Sequence, residues 1–183
     1  MKKILIVLAF IFEIANSANC QTQHYNQVKI DFMPGFAVAT SNGVLGGFSL
    51  SFEPHYRISD NLAIGVRFES ALIQHVFSVD GYSNHAISAV TSYAATVDHY
   101  FGNGRLRKFV GAGIGGYIIS DVSYFQVVTN PTVVKIGGFP RIGFEYGHFR
   151  LAAEYNLMPL HSSYFDLKAG FFFGGGLKKL QKK

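Results

Sequence analysis

Cysteine is almost missing from this 183-residue chain: Cys20 is the only one. A single thiol closes no internal disulfide, which excludes a disulfide-stapled scaffold. Tryptophan is absent, and charged residues make up only 15% of the chain. Uninterrupted apolar runs are equally scarce. The window Phe32 to Phe52 carries no charge and is long enough for a membrane helix. It is broken by Pro34, Gly35, Gly43, Gly46 and Gly47, with Ser41-Asn42-Gly43 at its centre, so it reads as two strands and a turn. No transmembrane helix is expected. A basic stripe is lacking too, although the net charge is +5. Lys2 and Lys3 open the chain, Arg105, Arg107 and Lys108 surround one turn, and Lys178, Lys179, Lys182 and Lys183 close it. Nucleic acid is therefore not an expected partner.

The first stretch is a targeting signal. Lys2 and Lys3 precede an apolar run, Ile4 to Phe12, followed by small and polar residues. That is the plan of a secretory signal peptide over residues 1–20. Cleavage after Ser17 places Ala15 and Ser17 at the small positions, and cleavage after Cys20 places Ala18 and Cys20 there. Lipidation of Cys20 is poorly served by Asn19 before it. Residues 21–26 are a short N-terminal segment, 27–177 the folded domain and 178–183 a basic tail.

Beyond the signal the chain alternates with a period of two, the mark of strands. Phe48, Leu50, Phe52, Pro54, Tyr56 and Ile58 face one way, and Ser49, Ser51, Glu53, His55 and Arg57 the other. The same split separates Leu62, Ile64, Val66 and Phe68 from Ala63, Gly65, Arg67 and Glu69. It recurs over 149–157 and 165–173. Four weaker segments lie near 27–40, 87–101, 108–120 and 132–146. Ser59-Asp60-Asn61, Gly102-Asn103-Gly104 and Tyr146-Gly147-His148 are tight turns, while the connections near 78–86, 121–131 and 158–163 are longer. The fold class is all-β: an eight-stranded antiparallel up-and-down transmembrane β-barrel, short turns at one end and loops at the other. A soluble sandwich or lipocalin-like barrel also alternates. The apolar face on nearly every strand, and aromatics at the strand ends, favour the membrane form. Tyr56, Tyr100, Phe101, Phe109, Phe144, Tyr146 and Phe149 are expected in a girdle near the turns, with Phe77, Tyr82, Tyr124, Phe125 and Tyr164 near the loops.

The alternation assigns fourteen charges to the lumen. Lys29, Arg57, Arg67, Lys135, Arg141, Arg150 and Lys168 are positive; Asp31, Glu53, Glu69, Asp98, Glu145, Glu154 and Asp166 are negative. An ion-selective pore favours one sign. Seven against seven favours a lumen plugged by pairs, with a polar path for small solutes as the alternative. Gly65, Gly111, Gly113, Gly115, Gly137 and Gly170 leave room for long Arg and Lys side chains.

The segment from Asp166 to Lys179, DLKAGFFFGGGLKK, resembles the closing strand of small porin-like outer-membrane β-barrel proteins. The signal, the size and the eight segments are similar to that family across nearly the whole mature chain. The resemblance implies an integral barrel of a bacterial outer membrane, in contact with outer-membrane lipid; with eight strands both termini are expected on the short-turn side, the periplasm. It implies no activity. Many such barrels end on an aromatic residue, whereas this chain ends Leu180-Gln181-Lys182-Lys183.

Candidate chemistry is thin. His161-Ser162-Ser163 resembles the His-x-Ser of outer-membrane lipid A deacylases, but no Glu follows Ser163. Asp166, three residues on, points to the other side of the wall. His75 and His85 flank one connection, and none of the seven histidines has the spacing of a helical zinc motif. Gly102-Asn103-Gly104 precedes no helix and forms no phosphate-binding turn. No catalytic residue, metal or cofactor is expected, and no oligomer is implied. The expected role is structural, or passage of small solutes. The rivals are partner binding through an outer loop bearing Tyr124 and Phe125, and a lipid-modifying enzyme.

Overall fold

A computed structural model describes residues 25–40, 44–79, 82–102, 104–123, 133–159 and 163–177. The strands are β1 (Val28–Ala39), β2 (Val44–Leu45), β3 (Gly47–Arg57), β4 (Leu62–Val79), β5 (Tyr82–Phe101), β6 (Leu106–Ser123), β7 (Val133–Tyr146), β8 (Phe149–Asn156) and β9 (Tyr164–Gly174). Each barrel strand pairs antiparallel with its neighbours in sequence, and β1 pairs with β9 to close the sheet. The result is a closed eight-stranded barrel, with β2 continuing β3 across Gly46. Closure pairs every barrel strand with a neighbour on both sides, while the tips of β4 beyond His75 and of β6 beyond Ile119 pair on one side among the described residues.

The β2–β3 break is a bulge. Val44 faces His75, while Ser49 faces Ala71, so the register gains one residue between them. A Cβ on Gly47 would lie 1.5 Å from the Leu72 carbonyl oxygen, so only glycine fits. Gly46 and Gly47 therefore form a bulge within a strand, and residues 41–43, where the turn is expected, lie outside the described residues.

The connection expected at 78–86 is strand instead. The β4–β5 ladder runs unbroken to Val79↔Tyr82. Asp80-Gly81 between them is a two-residue hairpin signal, and the alternation on either side carries the strands to it. β6 likewise continues to Ser123. The wall is uneven as a consequence: β4, β5 and β6 have 18, 20 and 18 residues, against 8 and 11 in β8 and β9.

Three prolines interrupt ladders, since proline has no N–H to donate. The β1–β9 pairing skips Met33 and Pro34, β3–β4 skips Glu53 and Pro54, and β7–β8 skips Phe139 and Pro140 before Gly138↔Leu157 resumes. At the opposite pole from the long hairpin, Tyr25 bridges to Leu177 beside the turns at 58–61 and 147–148, and its hydroxyl donates to the Gly104 carbonyl. Both described chain ends thus lie at the turn end. Gly174 and Gly175 leave β9 with φ of 72° and 60°, conformations glycine adopts without strain.

The two faces of the wall are chemically opposite. Outward stand Phe32, Phe36, Phe48, Phe52, Ile64, Val66, Phe68, Ile114, Ile136, Ile142, Leu167 and Phe171, all exposed. Inward stand charges and aromatics, nearly all buried. Among the described residues, no helix is long and apolar enough to cross a membrane.

The aromatic girdle near the turns needs correction. Tyr56, Phe101 and Tyr146 are exposed on the outer wall, but Tyr100 and Phe109 are buried in the lumen, as is Tyr164 at the other end. Strand parity decides this: Tyr100 and Phe101 are adjacent, so one must point in. The side chains of Phe77 and Tyr82, and all of Tyr124 and Phe125, lie outside the described residues.

Candidate functional site

The lumen is the candidate site, and its side chains come from every barrel strand. Near the loop end, Arg67 of β4 is the hub. Its Nη1 donates to Glu154 and lies 3.2 Å from Glu69. Its Nη2 donates to Asn156 Oδ1 at 2.9 Å, Tyr117 OH at 3.3 Å and Ser92 Oγ at 3.2 Å. Lys168 Nζ donates to Glu154 at 2.7 Å and to Glu69, and lies 3.6 Å from Asp166. Asp166 in turn accepts from Ser49 Oγ at 2.8 Å, and Glu69 accepts from the Tyr164 hydroxyl.

Halfway down, Arg141 of β7 forks onto Glu53 of β3, donating at 2.7 and 2.8 Å, while its Nε donates to Asp98 at 2.7 Å. This is the bidentate geometry that suits a guanidinium. Its Nη1 also lies 3.6 Å from Glu154, which joins this layer to the one above. Below, Arg150 donates to Asp98 at 2.8 Å, Glu145 at 2.7 Å and the Tyr100 hydroxyl at 2.9 Å, and lies 3.3 Å from Asp31. Lys29 meets Asp31 at 3.0 Å and also binds Glu145, and Arg57 reaches Glu145 at 3.3 Å. Thirteen of the fourteen charges assigned to the lumen are thus buried in one continuous network.

Lys135 is the exception. It sits near the start of β7, half-buried, and its Nζ donates to the Pro159 carbonyl at the loop end. Its place among the buried cations is taken by Arg107. Sequence reading grouped Arg107 with the exposed turn because Arg105 and Lys108 flank it. The signal that places it inside is parity with Phe109, together with its register partner Glu145.

The aromatic half of the filling was also missed. Arg67 stacks over Phe139 at 3.6 Å, Arg150 over Phe109 at 3.8 Å and Arg107 over Tyr25 at 4.0 Å from the ring centroid. Of the six glycines expected to make room, Gly113 and Gly137 admit rings, while Gly115 and Gly170 lie against neighbouring backbone. A Cβ at Gly113 would lie 2.4 Å from Phe139, one at Gly137 2.8 Å from Tyr117, and one at Gly143 2.6 Å from Phe109. Gly111 is the case that fits the expectation, opening room for Asp98 and Arg141.

Asp31, Glu53 and His55 bring three ligand-type atoms within 4.8 Å of one another. Lys29 and Arg150 already hold Asp31, and Arg141 holds Glu53. The positive charge that a metal ion would bring is supplied there by side chains. His161 lies outside the described residues. Ser163 Oγ is occupied by the Met158 backbone, accepting from its N–H at 3.1 Å and contacting its carbonyl at 3.3 Å.

No model of a known protein family matches the chain, and no curated protein matches it. Solved structures do. Neisserial surface protein A superposes with a TM-score of 0.59 at 18% identity, covering 80% of this chain and 96% of that one. The N-terminal β-barrel domain of Pseudomonas aeruginosa OprF gives 0.51 at 17%, covering 82% and 100%. The outer membrane protein OprG of Pseudomonas aeruginosa gives 0.51 at 12%, covering 84% and 99%. The fold is that of the eight-stranded outer-membrane barrels. At these identities the likeness concerns architecture, and the lumen chemistry must be argued from this chain's own residues.

Proposed function

We propose that this protein is an integral barrel of a bacterial outer membrane, periplasmic at its turn end, whose lumen is closed by an ion-pair plug. Its role is structural, in the envelope, without enzymatic activity or a bound cofactor. The apolar outer wall supports the lipid environment, since lipid accepts apolar side chains and a closed sheet satisfies every backbone group. The candidate signal peptide at residues 1–20 supports export.

One observation carries the plug: ion pairs join strands on opposite sides of the barrel. Arg67 of β4 binds Glu154 of β8, and Arg141 of β7 binds Glu53 of β3. Three strands lie between the members of each pair in either direction around the cycle, so each contact crosses the lumen. Water and solutes would have to break paired, desolvated charges to pass.

The test is conductance of the refolded mature protein in a planar bilayer. The wild type is expected to give no steady single-channel steps, whereas Arg141→Ala, which removes a fork and its bulk, raises the leak. Steady steps from correctly folded wild type would favour porin-like passage of small solutes instead. Unchanged lipid A in a deletion strain is expected, and a changed acylation pattern would restore the enzyme reading. Tyr124 and Phe125, the candidate partner contacts, lie outside the described residues.

A further inference from the structure

The turn-end mouth of the barrel holds a cavity of about 390 Å³ walled by Tyr25, Arg57, Arg107, Glu145, His148 and Phe172. Its electrostatics differ from those of the plug above it. Arg57 and Arg107 are both buried, and their guanidinium groups share two rings. They lie 5.0 and 4.0 Å from the Tyr25 centroid, and 5.2 and 4.5 Å from that of Tyr100. Two like charges are therefore held side by side.

Neither is well neutralised. Among the described residues Arg107 hydrogen-bonds only to backbone carbonyls, those of Asp60 and Gly102, and its Nη1 has no protein partner. The Asp60 carboxylate accepts instead from the Tyr25 backbone N–H at 3.2 Å. Arg57 donates to the Gly175 carbonyl and to Glu145 at 3.3 Å, and its Nε is also without a partner. Glu145 is shared with Lys29 and Arg150, both closer to it than Arg57. Glu145 is the one carboxylate among the described residues lining the cavity, which also include Arg57, Arg105 and Arg107. Arg105 and His148 stand at the rim.

A buried guanidinium with an unused N–H is costly unless an acceptor reaches it. We propose that the mouth binds a phosphate-bearing anion. The phosphate oxygens accept from Arg57 and Arg107 together, a fork geometry that guanidinium matches. The cavity is roomier than a bare phosphate needs, and the Tyr25 and Phe172 rings provide walls for the organic group that carries it. The phosphate is either that of a free small molecule or that of a lipid headgroup at the membrane surface. The site shares Arg57 and Glu145 with the lower end of the plug, but anion binding is read separately from conductance and holds whether or not the lumen conducts.

The test uses the full mature barrel refolded in neutral phosphatidylcholine vesicles. Inorganic phosphate and glycerol phosphate are titrated against chloride at constant ionic strength, by calorimetry. In a parallel arm, thermal unfolding is compared between neutral vesicles and vesicles containing phosphatidic acid. Saturable binding in the millimolar range by the soluble probes assigns the site to a free phosphate. Stabilisation by phosphatidic acid alone assigns it to a headgroup. In either case R107Q and R57Q should weaken the effect about tenfold or more, while K135Q at the far end leaves it unchanged. Folding of each variant is checked by its heat-modified gel migration, and R107K, which keeps the charge, stands in if R107Q fails to fold. No saturable response of the wild type in either arm overturns the proposal, as does a loss equal in K135Q and R107Q.

Discussion

Arg67 shows how much one buried charge holds together. Its guanidinium touches two carboxylates, one amide, two hydroxyls and an aromatic face. Arg67→Met would leave Glu69 and Glu154 facing each other across Lys168, with Arg141, already forked onto Glu53, the next cation at 3.6 Å from Glu154. Removing one member of a buried pair costs about 3–5 kcal/mol because the survivor stays desolvated. That loss is the expected result of urea unfolding of the vesicle-inserted variant. Adding Glu154→Gln removes one stranded charge, so the double variant should lose clearly less than the sum of the two singles. Additive losses would mean that the two side chains do not share their energy. Glu53→Gln should act in the same direction, since it removes the carboxylate onto which Arg141 forks.

At the scale of the strand, glycine and aromatic residues work as cross-strand pairs. On β6 and β7, Phe109 faces Gly143 and Gly113 faces Phe139 in register. Each ring fills the volume its partner leaves, then offers its face to an arginine. Gly113→Ala places a methyl 2.4 Å from the Phe139 ring and 3.1 Å from the Ala95 carbonyl. Overpacking of this kind costs about 1–3 kcal/mol, read as a lower urea midpoint. Phe139→Leu in the same chain should recover part of that loss by withdrawing the ring. A Gly113→Ala barrel as stable as the wild type would show that Phe139 has another place to go. Sequence reading picks out Gly113 as an inward position but not Gly143, and it assigns the space to Arg and Lys rather than to a ring. Alternation reports which side of the wall a residue faces, whereas the cross-strand partner depends on register, which the bulge at Gly46 and the hairpin lengths set.

For the whole molecule, the decisive property is inversion: apolar outside, charged within. Ile114 lies midway along β6, outward and 66% exposed. Ile114→Arg should destabilise the barrel by about 2–4 kcal/mol in bilayers, where the charge sits near the midplane. In small detergent micelles, which deform around it, the cost should be much smaller. Equal costs in both would argue that this face does not meet hydrocarbon.

The sequence by itself determined the class of fold, the number of barrel strands and the side of the wall on which most charges lie. A period of two needs only local order to be read, and every inward charge on a clean strand, from Glu53 to Lys168, followed from it. It did not determine that Tyr100, Phe109 and Tyr164 point inward, that Arg107 rather than Lys135 joins the buried cations, or that the strands run on to Val79 and Tyr82. Nor did it reveal which charge meets which. Arg67 and Glu154 are 87 residues apart in sequence, and Glu53 and Arg141 are 88 apart. Only closure of the barrel brings such residues together, because the pairing across a lumen depends on strand order, tilt and register at once.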